Sequence, residues 1–120
     1  MSIIKFLIKF PVLKRLIPSV YKKYIFFFNK YTKKVIINNV IYDLDLRHLI
    51  DRRFFFHNGY EDELFYPLND IINKNKIDFF LDIGSCWGVY SLRLAGIRKN
   101  LKILAFDPIK TNIERLKVNG

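Results

Sequence analysis

Residues 79–91 read FFLDIGSCWGVYS, and a second apolar run, ILAFDP, occupies residues 103–108. No other feature constrains the fold of this chain as strongly. A strand-like run ends at Asp82, a turn opens at Gly84 and closes at Gly88, and a helix-like stretch follows. The next apolar run closes on a second acid, Asp107. An α/β sheet holds a nucleoside with this layout: glycines let the backbone approach closely at a strand-to-helix turn, and an acid ending the next strand takes the ribose hydroxyls. The turn spacing is G-x-x-x-G. It lacks the third glycine of a dinucleotide binder and the G-K-[ST] ending of a P-loop, so the expected ligand is a nucleoside without a pyrophosphate.

The remaining pattern divides the chain at about residue 34. Of the formal net charge of +10, the first 42 residues carry nine bases and no acid. Any electrostatic partner must therefore meet this N-terminal segment. Residues 2–10 place Lys5 and Lys9 on one helical face and Ile3, Phe6, Leu7 and Phe10 on another. Pro11 interrupts the pattern, it resumes until Pro18, and residues 19–34 repeat it with Tyr21, Tyr24, Ile25 and Phe28 at helical spacing. No apolar run reaches the roughly 18–20 residues that cross a bilayer, and a secretory signal pattern is missing. Three roles are open to residues 1–34. They are helices packed on the rest of the chain, a basic aromatic segment lying peripherally on an anionic membrane, or a nucleic-acid contact. The last is disfavoured, because the bases alternate with bulky aliphatics and not with polar recognition residues.

Residues 35–120 read as mixed α/β. Asn38-Asn39 between two β-branched runs predicts a hairpin over 35–46, with Leu44 and Leu46 on one face and Asp43 and Asp45 on a wet one. Residues 60–74 read as a helix that Pro67 kinks or divides. A buried parallel strand over 77–82, a helix over 88–96, a strand over 102–106 and a helix over about 110–118 complete the order. Asn119-Gly120 suits a C-terminal cap. The single cysteine, Cys86, excludes an internal disulfide and a multi-cysteine zinc site, and agrees with a reducing cytoplasm.

DIGSCWGVYSLRLA, followed by KILAFDPIKTNIERLKVNG, resembles the first half of an FkbM-type methyltransferase dependent on S-adenosyl-L-methionine (SAM). The shared features are the Asp-x-Gly-x-x-x-Gly turn, the acid-Pro pair closing the second strand, and the Leu116 to Asn119 helix end. The stretch from Arg52 to Glu63, with HNGYEDE inside it, resembles the lead-in of the same family. The likeness spans roughly residues 35–120. This chain has Ser85-Cys86 where the family often has Ala-Asn, and Asp107 where it often has Glu.

The resemblance implies the start of a Rossmann-like SAM-methyltransferase sheet, preceded by a basic helical segment and a hairpin. It implies methyl transfer, chiefly to oxygen, with a small-molecule or glycan hydroxyl as acceptor. Only two strands of that sheet fall within the 120 residues. It therefore also implies an incomplete domain that does not turn over alone, its second strand left as an apolar edge. Two rivals stand beside this reading: a nucleotide-binding oxidoreductase, disfavoured by the missing glycine, and a non-catalytic nucleoside-binding or membrane-associated half-domain.

The cofactor-binding residues so implied are Glu61, Asp82, Gly84, Ser85, Gly88 and Asp107. Asp107 is expected to accept two hydrogen bonds from a cis-diol, or else to cap the turn before Pro108. Asp82 either organises the turn or touches ligand. Gly84 and Gly88 serve close packing, close ligand approach, or both. Glu61 either faces the pocket or is a helix-start acid favoured by the macrodipole. Trp87 and Tyr90 wall the pocket or belong to the core. Cys86 is a packed thiol or a reactive one. His48 and His57 lack metal-ligand spacing. No catalytic base can be named.

Overall fold

The computed structural model describes residues 13–119, with side chains from Leu16 onward. The helix expected over residues 2–10 and the glycine of the C-terminal cap lie outside them. The described chain is mixed α/β: five helices and two two-stranded sheets, one antiparallel and one parallel. In order these are α1 (Leu13–Phe27), β1 (Thr32–Ile37), β2 (Val40–Asp45), α2 (Leu49–His57), α3 (Asp62–Lys74), β3 (Phe79–Ile83), α4 (Val89–Ile97), β4 (Lys102–Phe106) and α5 (Lys110–Val118). No helix among the described residues is long and apolar enough to cross a membrane.

Neither Pro18 nor Pro67 divides its helix, and each is the sixth residue of it. There a proline deletes one backbone hydrogen bond near the N-terminus, and the rest of the helix continues. The helical segment is also shorter than the pattern suggests. It ends at Phe27, and Thr32 already opens a strand. The hairpin turn forms as expected: Asn38 and Asn39 take φ of 52° and 63°, the two left-handed positions of a tight type I′ connection. Along β2, Val40, Tyr42 and Leu44 are buried, and Asp43 and Asp45 sit on the wetter side.

The chain forms two compact units. The first takes residues up to Lys33 together with Leu44–Tyr60; the second takes Lys34–Asp43 and the chain from Glu61 onward. In the first, Ile25 is fully buried, and the Tyr21 ring stacks on Phe55 at 5.9 Å and meets Phe56 edge-on at 5.5 Å. Burial of the consecutive Phe54, Phe55 and Phe56 fixes α2, which carries no regular helical pattern in the sequence. Asp51, fully buried on the same helix, accepts a hydrogen bond from Asp45 N at 2.7 Å. Asn58 ends α2 in the left-handed conformation.

In the second unit β3 and β4 pair in parallel, with Phe79 beside Lys102, Leu81 beside Leu104 and Ile83 beside Phe106. Helix α4 makes the crossover that parallel pairing needs. Phe80 and Ile103 pack against a core of Phe65, Ile72 and Leu94, so α3 and α4 cover one face of the pair. Among the described residues, none covers the other face. Phe79, Leu81, Ile83, Leu104 and Phe106 are all exposed, Ile83 at 77%. The expectation of a buried strand is therefore half corrected. β3 is parallel, but its continuous apolar run meets side chains on one face only.

The hairpin tip is tied into this unit. A Cβ at Gly96 would stand 2.8 Å from the Asn38 carbonyl oxygen, so only glycine lets α4 pass that close. Trp87 is 1% exposed; its ring meets Tyr42 edge-on at 6.1 Å, and the Arg115 guanidinium lies 5.3 Å from its centroid. Asn119 caps α5 as expected, its amide donating to Arg115 O at 3.1 Å. It is extended, with φ −84° and ψ 134°, and its Oδ1 accepts from Asp43 N at 2.7 Å.

Candidate functional site

The residues singled out by sequence converge where β3 and β4 end. The turn from Gly84 to Gly88 alternates its backbone hand: Gly84, Cys86 and Gly88 have φ of 79°, 54° and 86°. At least four of its five amides are spent inside the protein. Gly84 N and Ser85 N both donate to Phe106 O, at 2.8 and 2.9 Å. Gly88 N donates to Ser85 O at 2.8 Å, and Cys86 N to Asp107 Oδ2 at 2.8 Å. The turn after the first strand is thus laced to the last residue of the second and to the acid beyond it. A phosphate-binding loop does the opposite and aims its amides at the anion.

Asp107 is more heavily engaged than its sequence position suggests. Oδ1 accepts from Ile109 N and from Asn112 Nδ2, both at 2.9 Å, and Oδ2 from Cys86 N. The bond from the Ile109 amide, then those from Asn112 and Cys86, hold its pKa below the ordinary carboxylate value. A carboxylate offers about four acceptor positions, and three are taken. The turn cap weighed for Asp107 is present, made by the Ile109 amide on Oδ1. Asn112 escaped sequence reasoning; its signal was its place in the first turn of α5, five residues after the acid.

The two glycines separate by their surroundings. At Gly84 a Cβ would meet nothing within 4 Å, so the turn faces open space there. At Gly88 a Cβ would collide with Leu116 Cδ1 and press on Leu92 at 3.1 Å. The packing role expected of Gly88 is thus present, while the space beside Gly84 is open. Ser85 is buried. Asp82 Oδ2 accepts from Ser91 Oγ at 2.5 Å, which ties the end of β3 to the first turn of α4. Ser91 was not singled out by sequence, although it lies one helical turn past Gly88.

Glu61 reaches the same helix. It is the left-handed residue preceding α3, with φ 52°, and its Oε2 accepts from Tyr90 OH at 2.9 Å. Burial, and then the Glu61 hydrogen bond, push the Tyr90 phenol up to about 12. Beside this pair Arg93 is almost fully buried. It donates to Asp62 Oδ1 at 2.7 Å and lies 3.6 Å over the Phe65 ring. The start of α3 is thereby tied to α4 through Tyr90 and Arg93. Arg93 went unnoticed in the sequence, because a lone arginine on a helix normally reads as surface.

The remaining candidates stay outside this cluster. Trp87 is core. Cys86 is half-buried and enters the site through its backbone. His48 and His57 are exposed on the first unit, and among the described residues no group of three His, Cys, Asp or Glu gathers as a metal site.

The residues present suit a nucleoside cofactor in two respects: open space in front of Gly84, and a remaining acceptor position on Asp107. No protein-family model matches the chain, and no curated protein or solved structure matches it either.

Proposed function

We propose that the chain binds SAM at the Gly84–Gly88 turn and serves methyl transfer to a hydroxyl acceptor, as in FkbM-type methyltransferases with a Rossmann-like sheet. One observation carries the reading. The acid closing the second parallel strand is hydrogen-bonded into the glycine turn after the first, while that turn keeps its amides for the protein. A nucleoside with no phosphate can use an acid held beside the turn, and does not call for amides aimed at a phosphate. A dinucleotide would need those amides, which weakens the oxidoreductase alternative.

In this reading SAM supplies an activated methyl on its sulfonium. The chain's own residues bind and orient it. Gly84 admits the cofactor against the backbone, Asp107 accepts from a ribose hydroxyl, and Asp82 and Ser91 hold the turn in place. Glu61 and Tyr90 hold the start of α3 beside α4. Holding acceptor oxygen, methyl and sulfur in line is the main catalytic demand. A small-molecule or glycan hydroxyl fits it.

In this reading the chain binds cofactor without turning it over, because one face and both edges of the parallel pair stay bare among the described residues. Equilibrium dialysis with methyl-labelled SAM, followed by incubation with pooled hydroxylated acceptors, tests this. Retention of label that is lost in Gly84→Val, with no transfer to acceptor, is expected. No retention refutes the binding site, and transfer abolished by Gly84→Val shows that the half-sheet suffices.

A further inference from the structure

The strongest feature outside the candidate site is the exposed side of α1. This helix has two apolar faces. Ile17, Tyr21 and Ile25, four residues apart, turn inward, and Ile25 is fully buried. A second stripe, Leu16, Val20, Tyr24 and Phe27, runs along the adjacent face and is exposed throughout, Val20 at 66% and Phe27 at 82%. It borders an apolar groove of about 450 Å³ lined by Leu16, Ile17, Val20, Tyr21 and Tyr24. Phe28 extends it, its ring 4.8 Å from Tyr24 and 5.0 Å from Phe27.

Charge identifies the occupant. The unit bearing α1 holds eleven bases against two acids, which is +9 of the chain's +10. Both acids are spoken for, since Asp51 is buried and Asp45 is clasped by Arg47. Lys22, Lys23 and Lys30 are exposed, and Lys22 Nζ lies 5.8 Å over the Phe26 ring. Rings and aliphatics between lysines on one helix, with no exposed acid nearby, match the interface of an anionic bilayer. The rings enter the headgroup boundary while the ammonium groups meet lipid phosphates. A protein groove of the same polarity would ask for acids that complement the lysines but would not need bare rings at the helix end. Nucleic acid would leave Phe27 in water.

We infer that α1 and its C-terminal aromatic cluster dock this chain on an anionic lipid surface. The inference is independent of the SAM reading. Co-sedimentation of the full chain with phosphatidylcholine vesicles, with and without phosphatidylserine, tests it, with a structured RNA as competitor. Binding only to the anionic vesicles is expected, falling as salt shortens the roughly 10 Å screening length at 0.1 M. Lys22→Gln with Lys23→Gln should weaken it by about fivefold per lysine. Phe27→Ser should weaken it roughly tenfold. Far-ultraviolet dichroism and the emission of Trp87 check that each variant is folded. Equal binding to neutral and anionic vesicles, binding to neither, or capture of the RNA alone would overturn the inference. So would a concentration-dependent dimer dissolved by Phe27→Ser, which would make a second copy the occupant.

Discussion

The backbone amide of Cys86 donates to the carboxylate of Asp107 at 2.8 Å, across 21 residues of sequence. This bond joins the glycine turn to the far end of the neighbouring strand. Asp107 is therefore an organiser of the site before it is a contact to any ligand. Acid should loosen it. The folded pKa of Asp107 is lowered, so its stabilising contribution is present above the unfolded value of about 3.9 and is lost as pH falls through the folded value. Urea midpoints of wild type and Asp107→Asn should differ by a constant amount near neutrality and converge in acid. A difference that persists unchanged into acid would remove the charged carboxylate from the account.

The glycines should respond differently to alanine. Gly84→Ala incurs the left-handed backbone penalty, about 1–2 kcal/mol, because nothing crowds its Cβ. Gly88→Ala adds overpacking against Leu116 and Leu92, roughly a further 1–3 kcal/mol. Denaturant titration of both variants checks the order. Equal losses would mean that Leu116 swings aside freely.

Alkali probes the Glu61–Tyr90 pair. The Tyr90 and Tyr42 phenols are each pushed up to about 12, chiefly by burial. A raised tyrosine pKa contributes stability that is complete below the unfolded value near 10 and is lost as pH rises through the folded one. Phenolate absorbance should show late-titrating tyrosines, and Tyr90→Phe should remove one of them. An unchanged late fraction in that variant would place Tyr90 in water.

The two faces of the parallel pair should behave as opposites. Leu94→Ala, in the covered core, should cost about 2–5 kcal/mol. Leu81→Ser, on the bare face, should cost little, while reducing aggregation and the binding of a hydrophobic dye. A large stability loss at Leu81 would show that this face is covered in solution.

Much of this was legible in the sequence, for a physical reason in each case. Asn38-Asn39 announced its turn because both positions need a positive φ that asparagine tolerates. The strand–turn–helix at 79–97 was legible because its glycines and its apolar run are local signals. The network around the site was not. Ser91, Asn112 and Arg93 gain their roles from partners 9, 5 and 31 residues away. Helix α2 was missed because its three consecutive phenylalanines obey packing and not helical periodicity. Pro18 and Pro67 do not divide their helices, since a proline six residues into a helix removes only one bond. The bare sheet face followed from nothing in β3 itself, whose apolar run reads as buried on both sides.

Calorimetric titration of the chain with S-adenosylhomocysteine and, separately, with NAD distinguishes a SAM site from a dinucleotide site. Saturable binding of S-adenosylhomocysteine, weakened at least about tenfold by Asp107→Ala, and no heat with NAD are expected. Equal affinity of wild type and Asp107→Ala for S-adenosylhomocysteine, or binding of NAD alone, would contradict the proposed SAM site.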